Sequence, residues 1–323
     1  MNCLVTGGAG FIGSHLVDKL LEGGHRVGVI DNFSSGIEKN IASHFGDSNF
    51  TVYKTDIRDD LSAVFAENTW DSIFHLAAIP SVQLSIENPE LTHDVNVNGT
   101  LNLLEAARKY NVKRFIFSSS AAVYGDQDTL PIKEDAELKP LSPYALHKVI
   151  GEQYCTLYNR LYGLETVCLR YFNVYGPRQN PDGGYASLIP KCISAMSKGE
   201  VFTINGDGSQ TRDFIFVEDI VAANMKAALI DSPNVSGNAY NIGSGVETSV
   251  KEIVTIIGEL LKSKSDIIYG PAVQEIKKSA ANYKKANSGF KWKPEVPMRI
   301  GLEKTLVHCK ETSAYATSKK GDY

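Results

Sequence analysis

An apolar strand that runs straight into a glycine-rich turn leaves a chain few folds to choose from. Cys3-Leu4-Val5 leads into Thr6-Gly7-Gly8-Ala9-Gly10-Phe11-Ile12-Gly13, and an apolar helical pattern follows over residues 11–21. Gly7, Gly10 and Gly13 fall three apart, and Gly8, Gly10 and Gly13 satisfy the G-x-G-x-x-G spacing. Glycine permits the tight turn and lets the main chain approach a ligand closely. The helix start that follows offers unpaired N–H groups and a positive dipole end. A glycine triplet alone is weak, because any tight turn favours the residue. Its context is stronger: a second apolar run, residues 26–30, ends at Asp31, 18 residues beyond Gly13. A carboxylate at that place accepts hydrogen bonds from the ribose of a bound dinucleotide. It also repels a 2′-phosphate, so the cofactor expected is NAD rather than NADP. Taken alone, Asp31 beside Asn32 reads equally as a turn residue.

Apolar runs of four to six residues alternate with helical patterns from there on. Strands are expected at residues 51–54, 72–76, 114–117 and 166–170, with one long helix over 91–110 and another around Tyr144. That order predicts an α/β fold, a Rossmann-type doubly wound parallel sheet covered by helices on both faces. Residues 1–170 are expected to form this NAD-binding domain, with segments near 214–242 returning to it. After Arg170 the texture changes, and Pro177, Pro181, Gly183 and Gly184 punctuate a loop. Helices are expected at 185–197, 218–229, 250–261 and 299–310, giving a smaller α/β substrate-binding lobe over 171–312. The polar residues 313–323 are expected to be a disordered tail.

The bulk properties exclude several classes. Of 323 residues, 43% are hydrophobic and 22% charged, and the net charge is −4, which draws the chain to neither nucleic acid nor an anionic membrane. The five cysteines (Cys3, Cys155, Cys168, Cys192 and Cys309) are scattered without a Cys-x-x-Cys spacing, and the histidines show no ligand spacing, so no metal site is expected. Met1 leads directly into an apolar strand, and no uninterrupted apolar stretch approaches a membrane span. These features predict a soluble cytoplasmic protein. Between residues 262 and 304, ten Lys or Arg face four Asp or Glu, which suits either a phosphorylated ligand or a solvated surface.

A third group of polar residues falls between 117 and 151. Ser118, Ser119 and Ser120 close the run Phe115-Ile116-Phe117, and Tyr144 and Lys148 stand four apart, on one face of a helix. A tyrosine ordinarily titrates near ~10, and a neighbouring cation favours its phenolate. Such a base can take the proton of an alcohol while the carbon loses hydride. By itself the pair reads as well as a solvated helix face; the glycine turn supplies it with a hydride acceptor.

Together these residues resemble the extended short-chain dehydrogenase/reductases, and among them the nucleotide-sugar 4-epimerases, to about residue 312. The resemblance is carried by the glycine turn, Asp31-Asn32-Phe33-Ser34-Ser35-Gly36, Asp56-Ile57, His75-Leu76-Ala77-Ala78 and Asn96-Val97-Asn98-Gly99-Thr100. Ser120, Tyr144 and Lys148, the stretch from Arg170 to Pro177, and Thr211-Arg212-Asp213-Phe214 extend it. It implies that Gly7, Gly10, Phe11, Ile12, Gly13, Asp31, Asn32, Ser35 and Gly36 bind NAD, that Asp56 and Ile57 meet the adenine, and that Leu76, Ala77 and Ala78 line the diphosphate and nicotinamide. Asn96, Ser118 and Phe172 are further cofactor positions by the same likeness. Lys148 would hold the nicotinamide ribose and keep Tyr144 acidic, and Ser120 would bond the reacting hydroxyl. Val82, Asn173, Leu188, Arg212 and Ser279 would complete the site for a UDP-sugar. A homodimer through the helices near 91–110 and 144–162 is also implied.

Related dehydratases and decarboxylases carry carboxyl groups just after the Ser120 position, where this chain has Ala121 and Ala122. Methyl groups cannot shuttle protons, so epimerisation of UDP-glucose and UDP-galactose is the reaction expected. Two departures stand out. The usual Arg-Pro-Gly-Asp stretch is replaced by Ala272-Val273-Gln274-Glu275, which removes a bidentate hold on phosphate; either Lys277 or Lys278 substitutes or the nucleotide binds more weakly. At the position that selects sugar size stands Ser279, small enough to admit UDP-GlcNAc and UDP-GalNAc. A UDP-glucuronate 4-epimerase, a net oxidoreductase and a non-catalytic NAD-binding scaffold remain alternatives on the same fold.

Overall fold

Strands joined by crossover connections have to pair in parallel, and the computed structural model, which describes residues 1–66, 68–180, 187–231, 233–272 and 276–318, shows this. The first half holds β1 (Asn2–Thr6), α1 (Phe11–Glu22), β2 (Arg26–Ile30), β3 (Phe50–Tyr53), α2 (Ser62–Ala66) and β4 (Ser72–His75). It continues with α3 (Val82–Glu87), α4 (Pro89–His93), α5 (Gly99–Lys109), β5 (Arg114–Ser120), α6 (Pro143–Tyr162) and β6 (Glu165–Tyr171). The second half holds β7 (Asn173–Tyr175), α7 (Leu188–Lys198), β8 (Phe202–Asn205), β9 (Thr211–Arg212), β10 (Phe214–Phe216) and α8 (Val217–Leu229). It ends with β11 (Asn238–Ile242), β12 (Thr248–Ser249), α9 (Val250–Leu261), β13 (Ile267–Gly270), α10 (Lys284–Phe290) and α11 (Met298–Ser318).

Seven strands form one sheet in the order β11-β6-β5-β4-β1-β2-β3. The chain works outward from β1 to β3 and then returns beside β1 with β4, so a crevice opens at the carboxyl ends of β1 and β4, where ligands bind in such sheets. Register aligns the functional segments along that edge. Thr6 lies opposite His75, His75 opposite Phe117, and β5 runs on to Ser120, opposite Tyr171.

The strand cores are apolar on both faces because helices cover both. Val5, Val29, Phe74, Ile116 and Leu169 pack on one side with Leu16, Ile220 and Trp292. Their neighbours Leu4, Ile30, Ile73 and Phe115 pack on the other with Leu103, Leu104, Cys155 and Tyr158. Each such side chain contributes roughly 1.5–3 kcal/mol of burial. A separate apolar cluster, with Ile193, Phe202, Ile204, Val254, Ile257 and Leu302, fills the second half.

Several segments differ from the sequence-based expectation. The helix expected over 91–110 is instead α4, a π-helical turn at Asp94–Asn98, and α5. The extra residue in that turn carries Asn96 onto the peptide of Ile79, donating to its carbonyl at 3.0 Å and accepting from its N–H at 2.8 Å. Hydrophobic periodicity registers a face and is blind to one inserted residue. Within 214–242, β11 enters the main sheet beside β6, whereas β10 pairs with β7 in a separate two-stranded sheet. The closing helix reaches Ser318, so the backbone of 313–318 is helical rather than disordered, and residues 319–323 lie outside the described residues. The helix expected over 185–197 is described from Leu188, and residues 181–186 lie outside. Among the described residues, no helix is long and apolar enough to cross a membrane.

Gly151 sets how closely α6 approaches β5. A Cβ there would stand 2.3 Å from the Phe117 ring. Ala in place of Gly gains about 1 kcal/mol of helix propensity, while overpacking a core costs about 1–3 kcal/mol. Gly151→Ala is therefore expected to lower stability by up to about 2 kcal/mol, seen as a lower urea midpoint at unchanged slope; a rise in midpoint would refute the close-packing account.

Candidate active site

The glycine turn is shaped by what it touches. Gly7 has φ +70°, and a Cβ there would lie 2.8 Å from the amide nitrogen of Ala77; one on Gly13 would lie 2.1 Å from the carbonyl of Gly7. Gly10 caps α1 without a side chain, so no side-chain group covers the first-turn amides of Phe11 and Ile12. Asp31 ends β2, its Oδ2 accepting from the Ala9 amide at 2.9 Å and its Oδ1 from the Phe33 amide at 2.8 Å. Each oxygen keeps lone-pair capacity for a ribose hydroxyl. Gly36 packs on this carboxylate, at 2.7 Å from Oδ1 for a Cβ placed on it, and Ser35 beside it is exposed. A helix N-terminus for a pyrophosphate, beside an acid for the adenosine ribose, fits NAD.

Asn32 donates to Asp56 at 2.7 Å, and Arg58 grips the same carboxylate while reaching Asp94 at 2.6 Å. The Arg58 hydrogen bonds hold the Asp56 carboxyl down to about 2. Ile57 beside it is buried, its carbonyl bonded to the Asn102 side chain at 2.8 Å. Leu76, Ala77 and Ala78 leave β4 over a hydrogen-bonded histidine. Thr100 Oγ1 gives its proton to the Asn96 carbonyl at 2.7 Å, so it accepts from His75 Nε2 at 2.8 Å. The bare Nδ1 then accepts from Thr6 Oγ1 at 2.8 Å, which in turn accepts from the Ala77 amide at 3.2 Å. Burial lowers His75 to about 3, which agrees with this neutral tautomer. His75 was unassigned in the sequence because only the folded contacts show what it holds.

Ser142 and Pro143 start α6 in the expected manner, with Ser142 Oγ accepting from the Ala145 amide at 3.2 Å. That places Tyr144 and Lys148 on the face turned to β5, and both are buried. The Lys148 ammonium donates to the Ser118 carbonyl at 2.7 Å and stands 5.0 Å from the Phe117 ring and 5.8 Å from the Tyr144 ring. Desolvation lowers Lys148 to about 8. Burial raises the Tyr144 phenol above its ordinary value, and a hydrogen bond with Ser120 pulls the other way. The hydrogen bond that opposes burial of the phenol comes from Ser120, while the Lys148 ammonium is bonded to the Ser118 carbonyl. Ser118 Oγ meets Tyr171 Oη at 3.1 Å, and Phe172 lies buried just beyond.

Sequence spacing also gave no sign of Ser85. Its hydroxyl donates to the Val82 carbonyl at 2.6 Å and accepts from the Tyr144 amide at 3.1 Å, bolting Val82 to α6. On the far side, Asn173 opens β7 with its side chain exposed, and its amide donates to the Asp213 carbonyl at 2.9 Å. The Thr211 amide donates to the Lys277 carbonyl at 2.9 Å, and the Ala281 amide to Asp213 at 2.9 Å. Residues 277–281 therefore run beside 211–213, which sets buried Ser279 next to Arg212. Leu188 opens α7 and packs partly on the second-half cluster. Of the stretch from 272 to 275, where the family arginine is missing, residues 273–275 lie outside the described residues; Lys277 and Lys278 are exposed.

The model of the NAD dependent epimerase/dehydratase family matches residues 3–243. A putative UDP-glucose 4-epimerase from Methanocaldococcus jannaschii is 43% identical over 306 residues, covering 94% of this chain and 96% of that protein. The structure of a UDP-glucose 4-epimerase with UDP-glucose from Thermotoga maritima is 38% identical, covers 97% of this chain and 100% of its own, and superposes with a TM-score of 0.91. A UDP-N-acetylglucosamine 4-epimerase from Methanobrevibacter ruminantium M1, in complex with UDP-N-acetylmuramic acid, is also 38% identical, with coverage of 96% and 98% and a TM-score of 0.91. With the whole length matched and the nucleotide turn, acid and Ser-Tyr-Lys set in place, the chain belongs to the NAD dependent epimerase/dehydratase family.

Proposed function

We propose that the chain interconverts UDP-glucose with UDP-galactose, and UDP-GlcNAc with UDP-GalNAc, with Tyr144 as the base. The observation that carries this is the trio of half-buried Ser120 with buried Tyr144 and Lys148 at the carboxyl edge of the sheet, Ser120 being followed by two alanines. NAD, held by the glycine turn and Asp31, would supply a reversible hydride acceptor for C4′, so that hydride lost from one face of the sugar could return to the other with no net oxidation. Tyr144 takes the proton of the 4′-hydroxyl and later gives it back. Ser120 accepts the Ala122 amide at 3.2 Å, which fixes its oxygen and leaves its proton for the phenol or the sugar. Lys148 brings a buried positive charge within 5.8 Å of the phenol ring, a field that favours phenolate.

Elimination or decarboxylation would need an acid that moves protons at C5 or C6. Ala121 and Ala122 supply none, and Glu152, reached from β5 through the Ser119 hydroxyl, spends its oxygens on Ser119 and Arg170. The small Ser279 beside Arg212 leaves room for an acetamido group. An exposed apolar stripe on α6, with Leu146, Leu157 and Leu161 at 46%, 45% and 61% exposure, suits a homodimer built on this helix.

Tyr144→Phe is expected to lose turnover by roughly 10²–10⁴-fold while NAD binding persists; near-normal turnover would sink the assignment, and accumulating NADH with substrate would favour a net oxidoreductase. Ser279→Tyr should abolish activity on the acetamido pair and spare the plain hexoses, and equal loss on both refutes the size gate. Sedimentation velocity should show a dimer that Leu157→Glu with Leu161→Glu converts to monomer. A wild-type monomer at micromolar concentration would remove the dimer reading.

A further inference from the structure

The stretch Thr211-Arg212-Asp213-Phe214 gives Arg212 to the proposed substrate wall, yet its most connected member is Asp213. This carboxylate is fully buried, at 0% exposure. Oδ1 accepts from the Ser244 amide at 2.6 Å and the Ser244 hydroxyl at 2.7 Å. Oδ2 accepts from the Gly245 amide at 2.8 Å and the Ala281 amide at 2.9 Å. All four partners are donors, so both oxygens are needed as acceptors; an amide in their place would turn an NH₂ onto N–H groups. The backbone carbonyl of the same residue accepts the Asn173 amide at 2.9 Å.

Three segments far apart in sequence meet at this one residue: the turn after β11 and residues 277–281 at its carboxylate, and the start of β7 at its carbonyl. Gly243 records how tightly they meet, since a Cβ there would stand 2.7 Å from Asp213 Oδ2 and 2.6 Å from the Ala281 methyl. Among the described residues, no single ladder joins all three of these segments. The tie between Thr211 and Lys277 is a single backbone bond.

We infer that Asp213 is a positioning residue for the UDP-sugar: by its carboxylate and its carbonyl it fixes Asn173, Arg212 and Ser279 relative to one another. The inference rests on the proposal that those three residues bind substrate. Asp213 holds no segment of the glycine turn, of Asp31 or of the 76–78 loop through any of its bonds. Its effect is therefore confined to the substrate side, where a misplacement of about 1 Å costs on the order of 10²-fold. A residue that merely holds the fold together would weaken both ligands alike.

The test compares Asp213→Asn, Ser244→Ala and Arg212→Met in full-length protein, with UDP and NAD+ titrated separately and KM and kcat measured for a UDP-hexose. Asp213→Asn is expected to weaken UDP binding and raise KM by about 10–100-fold, with kcat within about 3-fold and NAD+ affinity unchanged. Ser244→Ala removes one of the four donors and should raise KM by about 3-fold in the same pattern. Unchanged UDP affinity in Asp213→Asn, or equal losses for UDP and NAD+, overturns the inference. Should Asp213→Asn fail to fold, an unchanged KM in Ser244→Ala overturns it. If Arg212→Met binds UDP like wild type, the substrate wall itself has been misread. If Arg212→Met loses UDP and Asp213→Asn does not, the wall stands and only the role given to Asp213 falls.

Discussion

The Lys148 ammonium is taken almost wholly out of water, and the surroundings of the site are arranged to make that tolerable. An isolated ion in a protein interior costs several kcal/mol, and desolvation here lowers Lys148 to about 8, so it remains mostly charged at neutral pH. Three things offset the cost. The Ser118 carbonyl receives a hydrogen bond, the Phe117 ring offers its face at 5.0 Å, and the Glu152 carboxylate one helical turn along favours the charged form. Each depends on the fold. β5 outruns β4, whose last residue His75 lies opposite Phe117, so the backbone at Ser118 has no β4 partner on that side. Gly151 then allows α6 to come close enough to use it.

A buried ion pair, Glu152 with Arg170, stands behind this ammonium and reaches toward Ser279. Glu152 accepts from Ser119 at 2.5 Å and from Arg170 at 2.8 Å and 2.6 Å. Arg170 donates onward to Tyr124 at 2.7 Å, and Tyr124 to Asn241 at 2.6 Å. Asn241 holds the Ile132 carbonyl at 2.9 Å, and the Ile132 amide donates to Ala280 at 2.8 Å, beside Ser279. The three serines at the end of β5 thus have separate duties. Ser118 answers the lysine, Ser119 anchors the ion pair, and Ser120 meets the phenol. Removing one member of such a network would strand a buried charge, which costs more than the pair contributes.

What the sequence discloses follows from the range of each interaction. The glycine turn, Asp31 and the four-residue step from Tyr144 to Lys148 are local, and each falls where its spacing predicts. Six of the seven strands of the main sheet are readable for the same reason, apolar runs being buried on both faces, whereas β11 is not. The π-helical turn was not, because what stabilises it is the peptide of Ile79, 17 residues from Asn96. Ser85 lies 59 residues from Tyr144, and Asp213 lies 68 from Ala281. A serine or aspartate at such positions carries no periodic signature, and its role becomes visible only when the donors that surround it are known. The strand pairing of β10 with β7, rather than with the main sheet, is a tertiary choice of the same kind.

The reaction favoured for this site is set as much by what surrounds the ketone as by what makes it. In the role proposed for them, Ser120, Tyr144 and Lys148 would serve any oxidation of an alcohol beside a nicotinamide. The short turn Ala121–Tyr124 that follows Ser120 then presents two methyl groups and buries Val123 and Tyr124, so no acid lies on the turn itself. Glu152 is close in the chain of contacts, but its oxygens are occupied by Ser119 and the Arg170 guanidinium. Releasing it to move a proton would leave Arg170 buried without its counter-ion. In the proposed reaction, a 4-keto sugar in such a pocket is favoured to turn over and take the hydride back, because neither the turn 121–124 nor Glu152 offers the free proton carrier that the other routes need.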